Sequence, residues 1–466
     1  MDGTAAVLAT LIIYNAVLIG VGLWARGRNR DVADFFLAGR GLGPWIAAIS
    51  ASASSSSAWT LLGVSGAAYA WGLPALWLFP ATVGGFLLNW AWVAPRLRKL
   101  ANDEGAVTLS AVVAPAGLGE SRRLILRAAA AIIVFCFVFY VASQFEAAGK
   151  AFESTFGLSK QASILTGAGI VLAYTLLGGF WAVSVTDTVQ GLLMFVAAIV
   201  LPSVALTTVG GVDALVAGLS ANAGAGSPTA SLPFVMTIFF VLGILGIGVG
   251  YPGQPHVVNR FMALKDEKSL RHGRIIALSW AVLVYAGMLT LGLSARVLFA
   301  DLGDSEQVMF RVAGDLLPPV VAGVILAAVL SAIMSTADSQ LLVASSAISY
   351  DWNLADGSKQ SGLAKSRATV LAVLVLATVL ALLWRADIFS RVLFAWSSLG
   401  AAFGPILIMR LIGRSVPARA TLAAMLTGFG LTVLISWLPE TPGDFAERAV
   451  PFLFALAIAA VGSRVR

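Results

Sequence analysis

Charge is what this sequence has least of. Asp, Glu, Lys and Arg together make up 11% of 466 residues, with two histidines and one cysteine. Soluble domains run near a quarter charged, so no soluble fold fits this composition. The lone Cys136 excludes an internal disulfide and a thiolate metal cluster. His256 and His272 adjoin basic joint residues, which argues against a histidine proton relay. No carboxylate pair or nucleophile with its base is legible, and no metal other than a monovalent cation is indicated, which argues against an enzyme.

Hydrophobic residues are 59% of the chain and the mean hydropathy is +0.91. Apolar stretches long enough to cross ~30 Å of hydrocarbon recur from end to end with short polar joints. They predict an all-α membrane protein with about thirteen spans: Ala5–Ala25, Leu42–Trp71, Leu73–Val93, Leu124–Ala151, Gln161–Phe180, Ala182–Val209, Leu232–Met262, Ile275–Ala300, Val320–Tyr350, Ala368–Leu383, Ile388–Ile412, Ala420–Trp437 and Ala449–Gly462. Residues 1–466 read as a single transmembrane domain without a soluble appendage.

The net charge of +7 is mostly topology. Lys and Arg accumulate in short cytoplasmic joints, and here they follow span 1 (Arg26, Arg28, Arg30, Arg40), span 3 (Arg96, Arg98, Lys99, Arg122, Arg123, Arg127) and span 7 (Arg260, Lys265, Lys268, Arg271, Arg274). Lys359, Lys365, Arg367, Arg410, Arg414, Arg419, Arg464 and Arg466 fall on the same side. The expected location is the inner (plasma) membrane, amino terminus outside and carboxyl terminus cytoplasmic. Nucleic-acid binding is not implied. Span 1 carries no small-residue cleavage pattern and is expected to be retained.

A membrane helix is interrupted only where its freed backbone faces protein or water. Span 2 carries closely set hydroxyls from Ser50 to Ser57 that compete for the backbone. Span 7 carries Gly246, Gly248, Gly250, Pro252, Gly253 and Pro255, which make a continuous helix improbable. These breaks open two blocks of five spans, and paired interruptions point to an inverted-repeat transporter with its solute at mid-membrane. Close packing of small residues is the alternative for the serine run. On span 9, Ala332, Ser335 and Thr336 stand at i, i+3 and i+4, so one carbonyl and two hydroxyls share a face. Uncharged hard oxygens suit a monovalent cation better than calcium or magnesium, although packing hydroxyls would look the same. Gln144 and Glu146 lie inside the apolar run of span 4. Glu146 is a candidate partner for a solute amine or for Lys150, or a solvated interfacial group. Asp187 and Asp338 are candidates for a structural or gating role.

Several stretches carry a resemblance: Asp34 to Arg40, Ala94 to Arg98, Tyr140 to Ser143, Thr186-Asp187 with Gln190 to Leu192, Gly253 to His256, Arg260 to Ala263, Met334 to Leu342 and Gly400 to Pro405. At these residues the chain resembles the solute:sodium symporter family, most of all the sodium/proline symporters. The resemblance implies a leucine-transporter-like fold of two five-helix inverted repeats, residues 42–209 and 232–412, flanked by residues 1–41 and 413–466. It implies a sodium site from the carbonyls of Ala53, Ser56 and Ala332 with the hydroxyls of Ser335 and Thr336. It places the solute among Ser55, Ser57, Trp59, Tyr140, Ser143, Gln144, Ile247, Tyr251 and Gln254. Two positions depart from the family pattern: Ser55 replaces an aspartate and Ile247 a tryptophan. The half-helix amides at the two breaks are expected to receive a carboxylate, and Trp59, Tyr140 and Tyr251 an ammonium group.

The expected function is sodium-coupled import of a small solute, proline or another amino acid, by alternating access, as a monomer or homodimer. The alternatives are proton coupling through Glu146 or Asp187, and a solute sensor acting with a separate signalling partner. The charge asymmetry makes a direct prediction: a reporter cysteine beside Gly303 is labelled from outside, and one beside Lys268 only after permeabilisation. The reverse pattern overturns the orientation.

Overall fold

The computed structural model describes residues 3–25, 37–175, 180–221, 227–352, 363–383 and 387–465. Arg26, Arg28, Arg30, Asp34, Phe35, Phe36, Lys359 and Arg466 lie outside them. Helix α1 (Gly3–Ala25) precedes the first broken span. There α2 (Pro44–Ser55) stops at Ser56, and the chain resumes through a π-helical turn, Trp59–Gly63, into α3 (Val64–Trp71). Helices α4 (Leu78–Leu87) and α5 (Ala94–Asp103) belong to one rod spanning Leu73–Asp103. Then come α6 (Leu109–Val113), α7 (Ser121–Phe156), α8 (Lys160–Thr175), α9 (Phe180–Val209) and α10 (Val212–Ala221). The second broken span is α11 (Phe234–Val249), a 3-10 turn Tyr251–Gly253 and α12 (Pro255–Met262). After it follow α13 (Glu267–Leu298), α14 (Val308–Leu316), α15 (Pro319–Ser346), α16 (Leu363–Leu383), α17 (Ile388–Leu411), α18 (Ala418–Ile435) and α19 (Phe445–Gly462). A two-residue antiparallel pair, Arg414–Ser415 with Arg464–Val465, ties the end of α17 to the end of α19.

Among the described residues nine helices are long and apolar enough to cross a membrane. The expected spans 1, 2, 5 and 10 are not among the nine. They fall on α1, α2 with α3, α8 and α16, which are shorter, broken or less apolar. Helices α6, α10 and α14 lie outside the expected spans, their five to ten residues being too few for one. Arg96, Arg98 and Lys99, expected in a joint, lie on α5. From there Arg98 donates to the carbonyls of Leu264 and Lys265 at 3.0 Å each, pinning the segment that follows α12.

The element ends follow from local chemistry. Proline opens α2, α12 and α15, where its missing N–H costs no helix bond. Asp266 and Asp387 cap α13 and α17 by accepting from the N–H of Ser269 and Ser390 at 2.7 and 3.0 Å. Gly157, with φ of 64°, stops α7 in the left-handed conformation.

The broken helices sit in the middle of the bundle. Helix α13 packs on α2, α3 and α9, α15 packs on α1, α7 and α9, and α12 packs on α2 and α5. Close approach requires small residues where lipid offers no hydrophobic drive. At Gly292 of α13 an added Cβ would fall on the Ser65 carbonyl oxygen and 2.6 Å from the Ala68 Cβ. We therefore expect Gly292→Val to cost about 1 to 3 kcal/mol through overpacking, read as a lowered unfolding midpoint in detergent. No change would show that α3 and α13 are not in contact.

Candidate functional site

The first break is built by the serine run. Ser50, Ser52, Ser54, Ser56 and Ser57 are all fully buried, and the hydroxyls of Ser50, Ser54, Ser56 and Ser57 meet protein partners. Ser55 donates back to the Ser52 carbonyl at 3.0 Å. Ser56 ends α2 with its N–H on the Ala53 carbonyl and its hydroxyl 3.5 Å from that of Tyr285. Helix α15 crosses this end. Ser335 donates at 3.3 Å to the carbonyls of both Ala53 and Ala332, and Thr336 donates at 3.3 Å to that of Ser54. The structure thus brings Ala53, Ala332, Ser335 and Thr336 together, with Ser56 at the same helix end. Ser54, a partner of Thr336, is not among the residues the sequence points to. Nothing in sequence spacing says which carbonyl of a broken turn meets a neighbouring helix.

The amides across this break are occupied, against expectation. Ala58 N–H donates to Gln144 Oε1 at 3.1 Å and Trp59 N–H to Ser57 Oγ at 3.2 Å. Gln144 in turn donates to Ser143 Oγ at 3.1 Å, Ser143 to the Tyr140 carbonyl at 2.6 Å, and the Tyr140 hydroxyl reaches Ser57 Oγ at 3.4 Å. Glutamine on α7 therefore does the work reserved for a carboxylate, because an unpaired amide at this depth would be costly.

At the second break Gln254 Nε2 donates to the carbonyls of Gly250 (3.0 Å) and Trp396 (2.9 Å), while Trp396 Nε1 donates to Ile247 at 3.0 Å. Asn89 donates to the Tyr251 carbonyl at 3.2 Å. The Tyr251 ring meets Phe86 and Trp396, and its hydroxyl is 3.4 Å from that of Tyr285, itself 3.2 Å from Thr60 Oγ1. Tyr285 on α13 therefore stands between the two breaks. His256 is not in an exposed joint. It is fully buried, edge-on to Phe137, Tyr140 and Trp396.

Arg260 is likewise no joint residue. It is fully buried on α12, where its guanidinium bonds Asp187 Oδ2 at 2.8 Å, Ser339 Oγ at 2.6 Å, Ser50 Oγ at 3.0 Å and the His256 carbonyl, with the Phe180 ring 5.2 Å away. Asp187 Oδ2 also accepts from Ser50 at 2.8 Å and Ser54 at 3.1 Å. Asp187 is thus the counter-charge that allows an arginine inside the bundle. Asp338, beside Ser339, is also fully buried and accepts from its hydroxyl at 3.3 Å.

At the other end of the bundle Glu146 pairs with Lys160 rather than Lys150 and is 3% exposed, so it is not a solvated interfacial group. Lys150 reaches Asp304 at 2.8 Å and Glu306 at 2.6 Å. Glu306 also accepts from the N–H of Ile388 (3.2 Å) and Phe389 (2.9 Å), the first turn of α17. Burial pushes the Glu306 carboxyl up. In Asp304, burial acts the same way but the hydrogen bond and charge of Lys150 outweigh it and bring the carboxyl down. Phe389, held this way, packs on Trp59 (5.5 Å) and Trp71 (5.3 Å).

A model of the sodium:solute symporter family matches residues 35–428. An osmoregulated proline transporter of Bacillus subtilis is 35% identical over 452 residues, 93% of this chain and 88% of that one. A sodium/proline symporter of Escherichia coli is 35% identical over 438 residues, 91% and 86%. Among solved structures, a Na+-coupled sialic acid symporter in its substrate-bound outward-open state matches with TM-score 0.81 at 16% identity, covering 98% of this chain and 97% of that one. MhsT in complex with L-phenylalanine matches at 0.55 and 14% identity, covering 90% and 97%. These likenesses show a leucine-transporter-like fold with two five-helix inverted repeats.

The buried pair makes its own prediction. Arg260→Met strands Asp187 in the bundle and should cost about 3 to 5 kcal/mol, whereas the double variant Arg260→Met with Asp187→Asn should recover most of it. Denaturation in detergent micelles reads both, and equal losses in single and double variants would contradict the pairing.

Proposed function

The chain belongs to the sodium:solute symporter family, and from that premise we propose that it imports proline or a related amino acid with sodium, by alternating access. It is a multi-pass membrane transporter, not an enzyme, coupled to sodium. The inner (plasma) membrane with the amino terminus outside is the reading the basic joints support. Residues 42–209 and 232–412 are the proposed repeats.

The observation that carries the ion site is the meeting of α15 with the end of α2. Ser335 and Thr336 reach the Ala53 and Ser54 carbonyls at 3.3 Å, which supports sodium held by Ala53, Ser56, Ala332, Ser335 and Thr336. All are neutral hard oxygens, as a weakly held monovalent cation requires. The solute is assigned to the chamber between the breaks, beside Ser55, Ser57, Trp59, Tyr140, Ser143, Gln144, Ile247, Tyr251 and Gln254. A carboxylate would take the Ala58 N–H from Gln144. The faces of Trp59, Tyr140 and Tyr251 would receive the amine. Ile247 in place of a tryptophan leaves room for a solute bulkier than proline.

Proton coupling is the weaker reading because both candidate carriers are engaged in ion pairs, Asp187 with Arg260 and Glu146 with Lys160. Asp187, Asp338 and Glu146 are assigned structural or gating roles.

The test is uptake of labelled proline into proteoliposomes with and without a sodium gradient, against a panel of amino acids, sugars and simple anions. Sodium-dependent uptake that amino acids compete is expected. Competition by a sugar or anion alone rejects the solute. Ser335→Ala or Thr336→Ala should raise the sodium concentration for half-maximal uptake at least tenfold, since hydrogen bonds to charged groups, taken as a proxy, are worth about 1.5 to 3 kcal/mol. Unchanged sodium dependence in both rejects the ion site.

A further inference from the structure

The side chains that serve the second break have one end left over. Asn89 stands between α4 and α5 in a π-helical turn, Leu88–Val93, a form of helix frequent at functional sites. Its Nδ2 donates to the Tyr251 carbonyl at 3.2 Å. Gln254 commits its Nε2 to the carbonyls of Gly250 and Trp396 at 3.0 and 2.9 Å. Only the nitrogen of a carboxamide can donate to a carbonyl, so these bonds fix which end of each side chain is oxygen. Asn89 Oδ1 and Gln254 Oε1 are then left with no hydrogen-bond partner among the described residues, in side chains 1% and 0% exposed. Both carboxamides border the turn that carries Tyr251. At the first break the orphan is of the opposite kind: Trp59 Nε1, a donor, in a buried side chain. Ser52 and His256 are buried as well, but a hydroxyl or an imidazole can donate or accept and sets no direction.

We propose that Asn89 Oδ1 and Gln254 Oε1 receive the N–H groups of the solute's ammonium, so that the chamber accepts amines that carry N–H and rejects quaternary ones. The proposal rests on the reading of the chamber as an amino-acid site and sharpens it. Aromatic faces attract any ammonium, quaternary ones included, so Trp59, Tyr140 and Tyr251 by themselves would take a betaine as readily as an amino acid. Carboxamide oxygens without donors change that. A buried acceptor left unpaired is costly, and a site built around such groups discriminates steeply against a ligand that lacks the matching N–H. Two oxygens suit the two N–H groups of a protonated proline nitrogen. They repel the solute carboxylate and direct it to the first break, where the Ala58 N–H and Trp59 Nε1 are donors and the Trp59 face stays open to the ammonium. An alkali ion finds a fuller set of oxygens at the end of α2.

The test is titration calorimetry of the purified full chain in detergent with sodium present, using amino acids beside their N-methylated forms: proline, N-methylproline and N,N-dimethylproline, and glycine and alanine with their trimethylammonium analogues. A proline methylated on its α-carbon keeps both N–H groups and controls for bulk. The dissociation constant should rise about tenfold or more for each N–H lost along the proline series, the scale of a hydrogen bond to a charged group, and far less for the α-methyl compound. Asn89→Leu should weaken proline about tenfold and leave N,N-dimethylproline nearly unchanged, whereas a merely structural loss would weaken both alike. Gln254→Met gives the same readout if the unfolding midpoint shows that Asn89→Leu does not fold. Betaines that bind as tightly as their parent amines, equal losses on N-methylation and α-methylation, or variants that keep the wild-type ratio would each overturn the proposal. The first of these is also the result expected if an alkali ion fills the two oxygens. Binding of glycine or alanine but not proline, lost on N-methylation, rejects proline as the solute and supports the N–H requirement. If nothing in the panel binds, both readings fall.

Discussion

A backbone group freed inside a bilayer must be hydrogen-bonded within the protein, since each one left alone costs several kcal/mol. The rest of this structure depends on that constraint. Two spans are broken, at Ser56 to Ala58 and at Gly250 to Gln254, and both breaks are lined by side chains whose task is to answer the chain. Gln144 and Ser57 take the amides of Ala58 and Trp59. Gln254, Trp396 and Asn89 serve the carbonyls of Gly250, Trp396, Ile247 and Tyr251. Those partners come from α7, α17 and the rod that contains α4, so the breaks dictate which helices surround them.

The Arg260 and Asp187 pair is the second consequence. Helix α12 begins at a break and is only eight residues long, too short to hold its place by hydrophobic packing in lipid. A buried arginine whose donors reach α9, α2 and α15 at once supplies that registration. The same pair explains why α2 stays beside α15, because Ser50 and Ser54 share Asp187 while Ser54 also presents its carbonyl to Thr336. Retaining a charge pair for specificity of arrangement rather than for net stability is the better-attested use of buried ions. At the opposite end Glu306 ties Lys150 to the first turn of α17 and so fixes Phe389 above Trp59.

Much of the architecture was legible because membrane helices announce themselves by length and composition, and breaks by serine, glycine and proline. What was not legible has a physical reason. Arg260 follows an apolar run as a joint arginine does, and only three-dimensional proximity to Asp187 shows that it is buried. Glu146 precedes two lysines in sequence, Lys150 and Lys160, and the nearer one, Lys150, is claimed by Asp304 and Glu306 on a distant segment. His256 adjoins a basic stretch, yet the 3-10 turn before α12 carries it to the level of Tyr140. The amides of the first break looked available because a glutamine at helical spacing from Tyr140 carries no mark of the backbone group it will meet.

Ser55 bears on how the ion and the solute are linked. Its hydroxyl is folded back onto Ser52, so the end of α2 brings no charge where the family resemblance implies a carboxylate. On the proposed assignment the ion is held by dipoles alone, and two of them, the hydroxyls of Ser335 and Thr336, donate to carbonyls of α2 in this structure. They must turn their lone pairs inward to serve as ligands. Each contact is then modest, and their sum depends on the distance between α2 and α15. A fixed carboxylate would attract a cation whatever that distance. Dipoles from two helices hold it only when the helices are close, so whatever draws α2 toward α15 strengthens ion binding, and the ion by reciprocity draws the helices together. Tyr285 touches Ser56 and Thr60 on one side of the chamber and Tyr251 on the other. A solute lodged between the breaks therefore acts on the same approach, which makes the missing charge a route to coupling rather than a defect in the site.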